Sequence, residues 1–395
     1  MTPKTWPLLA ARSLRGFSDG YMALLLPAYL LALGLGGLAV GVISTATMLG
    51  SALATLTVGA WGHRFASRRL LSGAALLMVA TGISFAGFMN FWPLLVVAFV
   101  GTLNPSSGDV SVFLPLEHAA LAGASTAATR TGLFARYSLL GSLAAALGAL
   151  ATALPGWAAS SFGTARLDAL RAMFLLYGAT GLVIALLYRQ LPAQAAATQL
   201  PHTPLGPSRA IVIRIAALFS VDAFAGGLVV NALLSLWLLQ RFGLDLAQAG
   251  RFFFWSGLLG AGSQLVAPLL ARRIGLLNTM VFTHIPANIC LVLAALAPSL
   301  PVALTLLFIR SALSQMDVPT RSAYVMGVVT PPERAAAASF TAVPRSLAAA
   351  ISPTLAGALF AAGFISAPLI ACGLLKIGYD LALWRAFRLH PPHAD

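Results

Sequence analysis

The chain has 395 residues, 59% of them hydrophobic and only 9% charged, with 24 Lys and Arg against 10 Asp and Glu for a net charge of +14. A soluble domain carries about a quarter charged residues, so this composition excludes a soluble globular protein and indicates one that spans a membrane. The basic excess does not point to nucleic acid, because no finger spacing or aromatic-and-basic platform accompanies it and the charges fall between apolar runs.

In chain order the apolar runs predict spans near 14–35, 39–60, 70–89, 93–116, 131–154 and 170–188, then 211–238, 251–270, 276–298, 301–326, 336–360 and 366–384. Each crossing takes about 20 residues, so twelve crossings leave short loops and one linker. The expected fold is all-α: twelve transmembrane helices in two pseudo-symmetric bundles of six, residues 1–188 and 211–395. Residues 189–210 join them, with Pro192, Pro201, Pro204 and Pro207 giving the composition of an extended linker. The first span follows Lys4, Arg12 and Arg15 but ends in no small-residue cleavage site, so it is read as uncleaved.

Basic residues divide unevenly between the two sides: 15 lie on the side of the termini and linker, and four, Arg166, Arg171, Arg241 and Arg251, on the other. The basic side is expected to be cytoplasmic. All seven tryptophans, Trp6, Trp61, Trp92, Trp157, Trp237, Trp255 and Trp384, fall at or beyond predicted span ends, as interfacial aromatics do. Two lysines against 22 arginines, with abundant alanine, suggest a GC-rich genome and hence a bacterial inner membrane.

The halves repeat. Arg64 to Asp109 and Arg272 to Asp317 are both 45 residues, Asp109 to Arg136 is 27 and Asp317 to Arg345 is 28. Asp19 to Arg64 is 45 against 50 for Asp222 to Arg272, an excess assigned to a longer loop around Gly243 to Gly250. An even number of crossings per half makes the repeat parallel about an axis along the membrane normal.

Gly59, Arg64, Arg68 and Arg69 between spans two and three, with His63 and Ala66 at the other motif positions, and Asp19 followed by Leu26-Pro27 in span one, resemble the major facilitator superfamily of secondary transporters. The resemblance covers essentially the whole chain. It departs from the loop pattern at His63, where the family has an aspartate, and span five has Gly141 and Gly148 with no proline between them, unlike many efflux members. Ser352-Pro353 and Gly357 in span eleven echo that motif in the other half. The resemblance implies that spans one, four, seven and ten line a central cavity.

Charged side chains inside the membrane cost about 2.5 to 3.5 kcal/mol each at midplane on insertion scales, so those present here are candidate functional groups. Arg310 is expected near midplane on span ten, with Ser314, Asp317 and Arg321 at i+4, i+7 and i+11 forming one polar stripe. Arg310, Ser314, Asp317 and Asn104 of the polar insert in span four are the candidate substrate contacts. Asp19, Asp222 and Asp109 are candidate proton carriers, Asp19 and Asp222 because neither has a basic partner on its own helix. Arg64, Arg136, Arg272 and Arg345 are expected in gating or ion pairs, Arg136 with Asp109 and Arg345 with Asp317. Internal ion pairs serving packing alone are the plain structural alternative for these groups. Lys376 and Asp380 are read as a structural i, i+4 pair, and Glu117 and His118 as solvated at the end of span four.

The histidines at 63, 118, 202, 284, 390 and 393 form no helical ligand pair, so no metal is expected. Cys290 and Cys372 are read as small buried hydrophobes. No Walker loop, nucleotide fingerprint or Gly-x-Ser-x-Gly elbow occurs, so neither an enzyme nor a cofactor is expected. These readings converge on a monomeric transporter of a small organic solute in the lipid bilayer, driven by protons or another coupling ion and exporting its cargo. Uptake of an organic anion anchored by Arg310 is the second reading, and a non-transporting receptor or scaffold the third.

Overall fold

The computed structural model describes residues 5–106, 111–123, 127–192, 206–330 and 333–388. Among them no strand occurs, and helix is present in every predicted span. Before the linker come α1 (Trp6–Ala32), α2 (Gly37–Trp61), α3 (Ser67–Gly87), α4 (Phe91–Val100), α5 (Phe113–Gly123), α6 (Ala127–Leu150), α7 (Leu154–Phe162) and α8 (Arg166–Arg189). After it come α9 (Arg209–Gly227), α10 (Asn231–Phe242), α11 (Leu246–Ile274), α12 (Leu276–Ala295), α13 (Leu300–Ser314), α14 (Asp317–Val328), α15 (Arg334–Ala361) and α16 (Ala367–Phe387). Among the described residues eight helical segments are long and apolar enough to cross a membrane by length and composition. α1 is not among them, because Arg12, Arg15 and Asp19 interrupt its apolar run.

The chain divides into two compact units, one of Met1–Thr198 with Val230–Phe254 and one of Gln199–Val229 with Trp255–Asp395. In the first unit α1 packs along α6 and α8, α3 along α8, and α2 along α4. Lipid gives helices no hydrophobic reason to associate, so close backbone approach through small residues supplies the contact. Gly16 and Gly20 of α1 meet the carbonyls of Gly141 and Ala145 on α6, and Gly148 lies under the Phe17 carbonyl, leaving no room for a Cβ at any of the three. In the second unit α9 packs on α15, and α12 on α13 and α16. Gly227 of α9 fits against Ser352 and Ala349 of α15 in the same way. Val212, Ile215, Phe219, Tyr324, Tyr379 and Leu383 form part of the buried core at the linker end of this unit.

Three predicted spans are each split in two. In span four the helix stops after Val100, and Pro105, which has no N–H to give, follows in irregular chain. Asn104 holds this turn, its Oδ1 accepting from Ser106 N at 3.1 Å and Ser106 Oγ at 2.7 Å. Span seven stops at Gly227 and restarts at Asn231 after an extended Val230. The two breaks meet within the first unit, where Ala232 N, an unpaired donor of the first turn of α10, donates to the Pro105 carbonyl at 3.0 Å. Span ten stops at Ser314 and restarts at Asp317, an acidic residue in the first turn of α14, where the helix dipole favours it.

Two expectations are corrected here. Trp237 is not interfacial: it is 0% exposed, because α10 packs within the first unit against α1 and α2. The loop between spans seven and eight is short, with Gly243 in the left-handed region at φ 65° between α10 and α11, so the extra length of that half lies in its helices and in the break before Asn231.

Candidate functional site

In the first unit Arg15 of α1 reaches across to Glu117 of α5. Its Nη2 lies 2.5 Å from Glu117 Oε2, with Arg15 2% and Glu117 0% exposed. Tyr188 of α8 donates to Glu117 Oε1 at 2.6 Å, and Tyr137 of α6 donates to Oε2. Arg15 Nη2 also donates to Tyr137 Oη at 3.2 Å, while its guanidinium sits 4.5 Å over the Phe113 ring. Four helices are thus tied at one carboxylate, each of whose oxygens is hydrogen-bonded. Glu117 is therefore buried rather than solvated, because α5 runs on to Gly123 and Tyr188 and Arg15 are brought to it from α8 and α1. His118 packs its ring on Phe134 and Tyr137.

In the second unit the cluster has the opposite polarity. Asp222 of α9 accepts from Lys376 Nζ of α16 at 2.6 Å and faces Arg321 Nη1 of α14 at 3.4 Å. Arg321 also pairs with Asp317 of its own helix and lies 5.4 Å from the centre of the Phe219 ring. Asp380, one turn beyond Lys376, pairs with His284 Nδ1 of α12 at 3.0 Å, and its second oxygen has no hydrogen-bond partner among the described residues. Lys376 and Asp380 are therefore not each other's partners. Lys376 turns to α9 and Asp380 to α12, since each finds a closer buried partner on a neighbouring helix.

The expected site residues separate. Asn104 is buried, with its Oδ1 occupied in the span-four turn. Asp19, expected to have no basic partner on its own helix, is buried on α1 with Arg15 and Arg12 of that same helix in electrostatic reach. Asp222, expected to have no partner on its own helix, is held by two cations from other helices. Asp109 lies outside the described residues, and Arg136 is exposed on α6. Asp317 takes Arg321 as its ion-pair partner, and Arg345 is exposed on α15. Arg64 and Arg272 are exposed, in the turn after α2 and at the end of α11.

The proposed stripe from Arg310 to Arg321 does not form on one helix, because α13 ends at Ser314 and α14 starts at Asp317. Arg310 has no acidic partner among the described residues. Its Nε is buried without a hydrogen bond, and the groups in electrostatic reach are the thiols of Cys290 on α12 and Cys372 on α16. Sequence reasoning missed Glu117, His284 and Lys376. Partners supplied by other spans, an arginine and two tyrosines for Glu117 and an aspartate each for His284 and Lys376, leave no local sequence signal, although the rarity of lysine could have marked Lys376.

The Major Facilitator Superfamily family model matches residues 8–316. An uncharacterized membrane protein of Saccharomyces cerevisiae is 23% identical over 418 residues, covering 95% of this chain and 92% of that protein. Among solved structures, a bacterial homologue of the human lysosomal transporter Spinster, inward-facing and occupied, superposes with a TM-score of 0.75 at 15% identity over 98% of both chains. The inward-open xylose transporter XylE from E. coli gives 0.73 at 16% identity over 96% of both. With a family match over most of its length and the same helical architecture, the chain belongs to the Major Facilitator Superfamily.

Proposed function

We propose that the protein is a secondary active transporter that exports a small organic solute by alternating access in exchange for protons. The observation that carries this reading is the buried cluster of Asp222, Asp317, Asp380, His284, Lys376 and Arg321 in the second unit. Ionisable groups inside a membrane are costly, and they are kept where ions or protons move. Three carboxylates face two permanent cations there, so the charge balance depends on a proton. The extended residues at the breaks in spans four and seven support the same reading, since irregular backbone at membrane depth belongs at a binding site or a cavity wall. We place the protein in a bacterial inner membrane with both termini cytoplasmic, on the strength of the arginine-rich composition and the loop charges.

Uptake of an organic anion is the second reading, favoured by the unpartnered Nε of Arg310. The groups in electrostatic reach of Arg310, Cys290 and Cys372, count against it, because α12 and α16 correspond to spans nine and twelve, outside the expected cavity wall. The two readings separate in proteoliposomes offered a panel of neutral, cationic and anionic solutes under opposite pH gradients. Export by exchange accumulates solute only in vesicles acidic inside. Accumulation of anions only in vesicles acidic outside supports uptake, and flux no greater than in protein-free vesicles leaves a receptor or scaffold.

A further inference from the structure

The pair His284–Asp380 is the one place in the second-unit cluster where a proton can be added or removed without breaking a contact between permanent charges. Both side chains are buried, at 4% and 1% exposure. Rise per residue puts His284 about 12 Å from the start of α12 and Asp380 about 10 Å from the end of α16, on the linker side of the membrane core. The charged and titratable groups around them are Asp222 on α9, Asp317 and Arg321 on α14, Lys376 and Tyr379 on α16, and Arg310 on α13 beside the two thiols. From α15, which packs on α16, the charged Arg345 is exposed.

Within the cluster Arg321 and Lys376 oppose Asp222, Asp317 and Asp380. A protonated His284 makes the sum zero, and a neutral one leaves a single uncompensated negative charge in a low-dielectric setting, which is the costly state. That charge falls on Asp380, whose Oδ2 already lacks a partner. The nearest cation able to answer it is Lys376, one turn earlier on the same helix, which now holds Asp222.

We propose that His284 and Asp380 together form the proton-binding site of this transporter, and that loss of the proton draws Lys376 from Asp222 to Asp380, untying α9 from α16. This rests on the proton-coupled reading above and names the site that reading leaves open. The balance is simple: His284 gives its proton to water on the linker side, no covalent bond changes, and the Lys376 ammonium moves from one carboxylate to the other. Because α9 is the first piece of the split span seven, its release is a direct way for protonation to reach a helix of the cavity wall.

The test is magnetic resonance on the reconstituted protein with isotope-labelled histidine and lysine, the His284 signal being the one missing from His284→Gln. The chain has only two lysines, Lys4 and Lys376, so the lysine signals are readily assigned. His284 should pass from imidazolium to neutral imidazole as pH rises, the Lys376 amine signal should shift in the same step, and Asp380→Asn should remove the imidazolium from the acidic end. A His284 that keeps one protonation state throughout overturns the proposal, as does an unchanged transition in Asp380→Asn. Flux separates this from the parent reading. If gradient-driven flux exists and survives in both His284→Gln and Asp380→Asn, the site is wrong and proton coupling stands. If His284 titrates as described while no solute of the panel moves under a pH gradient, the proton site stands and the transport reading falls.

Discussion

Glu117 and Asp222 are the buried acids at the centres of their two units, with the helices that carry the acid and the cation exchanged. In the first unit the leading helix supplies the cation, Arg15, and the later piece of span four supplies the acid; in the second the leading helix supplies the acid, Asp222, and the later piece of span ten supplies the cation, Arg321. Removing one member of a buried pair strands the other, which costs roughly 3–5 kcal/mol. Glu117→Ala should therefore lower the unfolding temperature in detergent far more than Tyr188→Phe, and adding Arg15→Met to Glu117→Ala should recover part of the loss; strict additivity would mean the two are not coupled. At the linker junction Glu333 accepts hydrogen bonds from Ser208, Thr330 and Gly206, which hold its carboxyl down to about 2. A depressed carboxyl contributes stability above its unfolded range, and that contribution is lost as pH falls toward the folded value. Glu333→Gln should thus lower stability by a constant amount above the ordinary glutamate range and flatten the acid limb of the profile below it. Little of this was legible at the residue scale. Glu117 sits where the apolar run ends and so reads as solvated, and Lys376 and Asp380 have the spacing of a helical pair, yet tertiary partners on α1, α8, α9 and α12 decide the contacts.

At the scale of elements the leading helix of each unit lies against the fifth span through small residues, Gly16, Gly20 and Gly148 in the first unit and Gly227 in the second. A side chain there must push two backbones apart, and overpacking of this kind costs about 1–3 kcal/mol. Gly148→Val should reduce thermal stability in detergent by that order, whereas Gly156→Val on α7, where a Cβ meets nothing within 4 Å, should be far milder; equal losses would remove the packing explanation. The helix breaks were partly legible. Pro105 and the polar run beginning at Asn104 mark span four as irregular, and Pro319, which has no N–H for the Gln315 carbonyl and crowds it, marks the interruption of span ten even though the helical spacing of Arg310, Ser314, Asp317 and Arg321 continues across it. The restart at Asp317 is set by Arg321, which binds the acid of its own first turn and Asp222 of α9 together.

For the whole molecule, the composition, the spacing of the apolar runs and the 45-residue repeat of Arg and Asp were enough for an all-helical membrane fold of this superfamily, because bilayer thickness dictates segment length whatever the side chains do inside. The placement of Val230–Phe254 with the first unit was not legible, because it depends on Ala232 N meeting the Pro105 carbonyl and Thr152 Oγ1 meeting the Leu246 carbonyl at 2.8 Å. The proposed orientation, with the linker cytoplasmic, rests on loop charge. A single cysteine introduced as Gln199→Cys in a background lacking Cys290 and Cys372 should resist an impermeant thiol reagent in intact cells and react after lysis; rapid labelling in intact cells would reverse the topology. The central claim, proton-coupled secondary transport, is tested most directly by loading proteoliposomes with an acidic interior and following a transported solute before and after a protonophore is added. The account predicts accumulation above the external concentration that collapses to equilibrium on adding the protonophore, with solute exchange continuing; flux that only equilibrates, at a rate indifferent to the pH gradient and the protonophore, would contradict it.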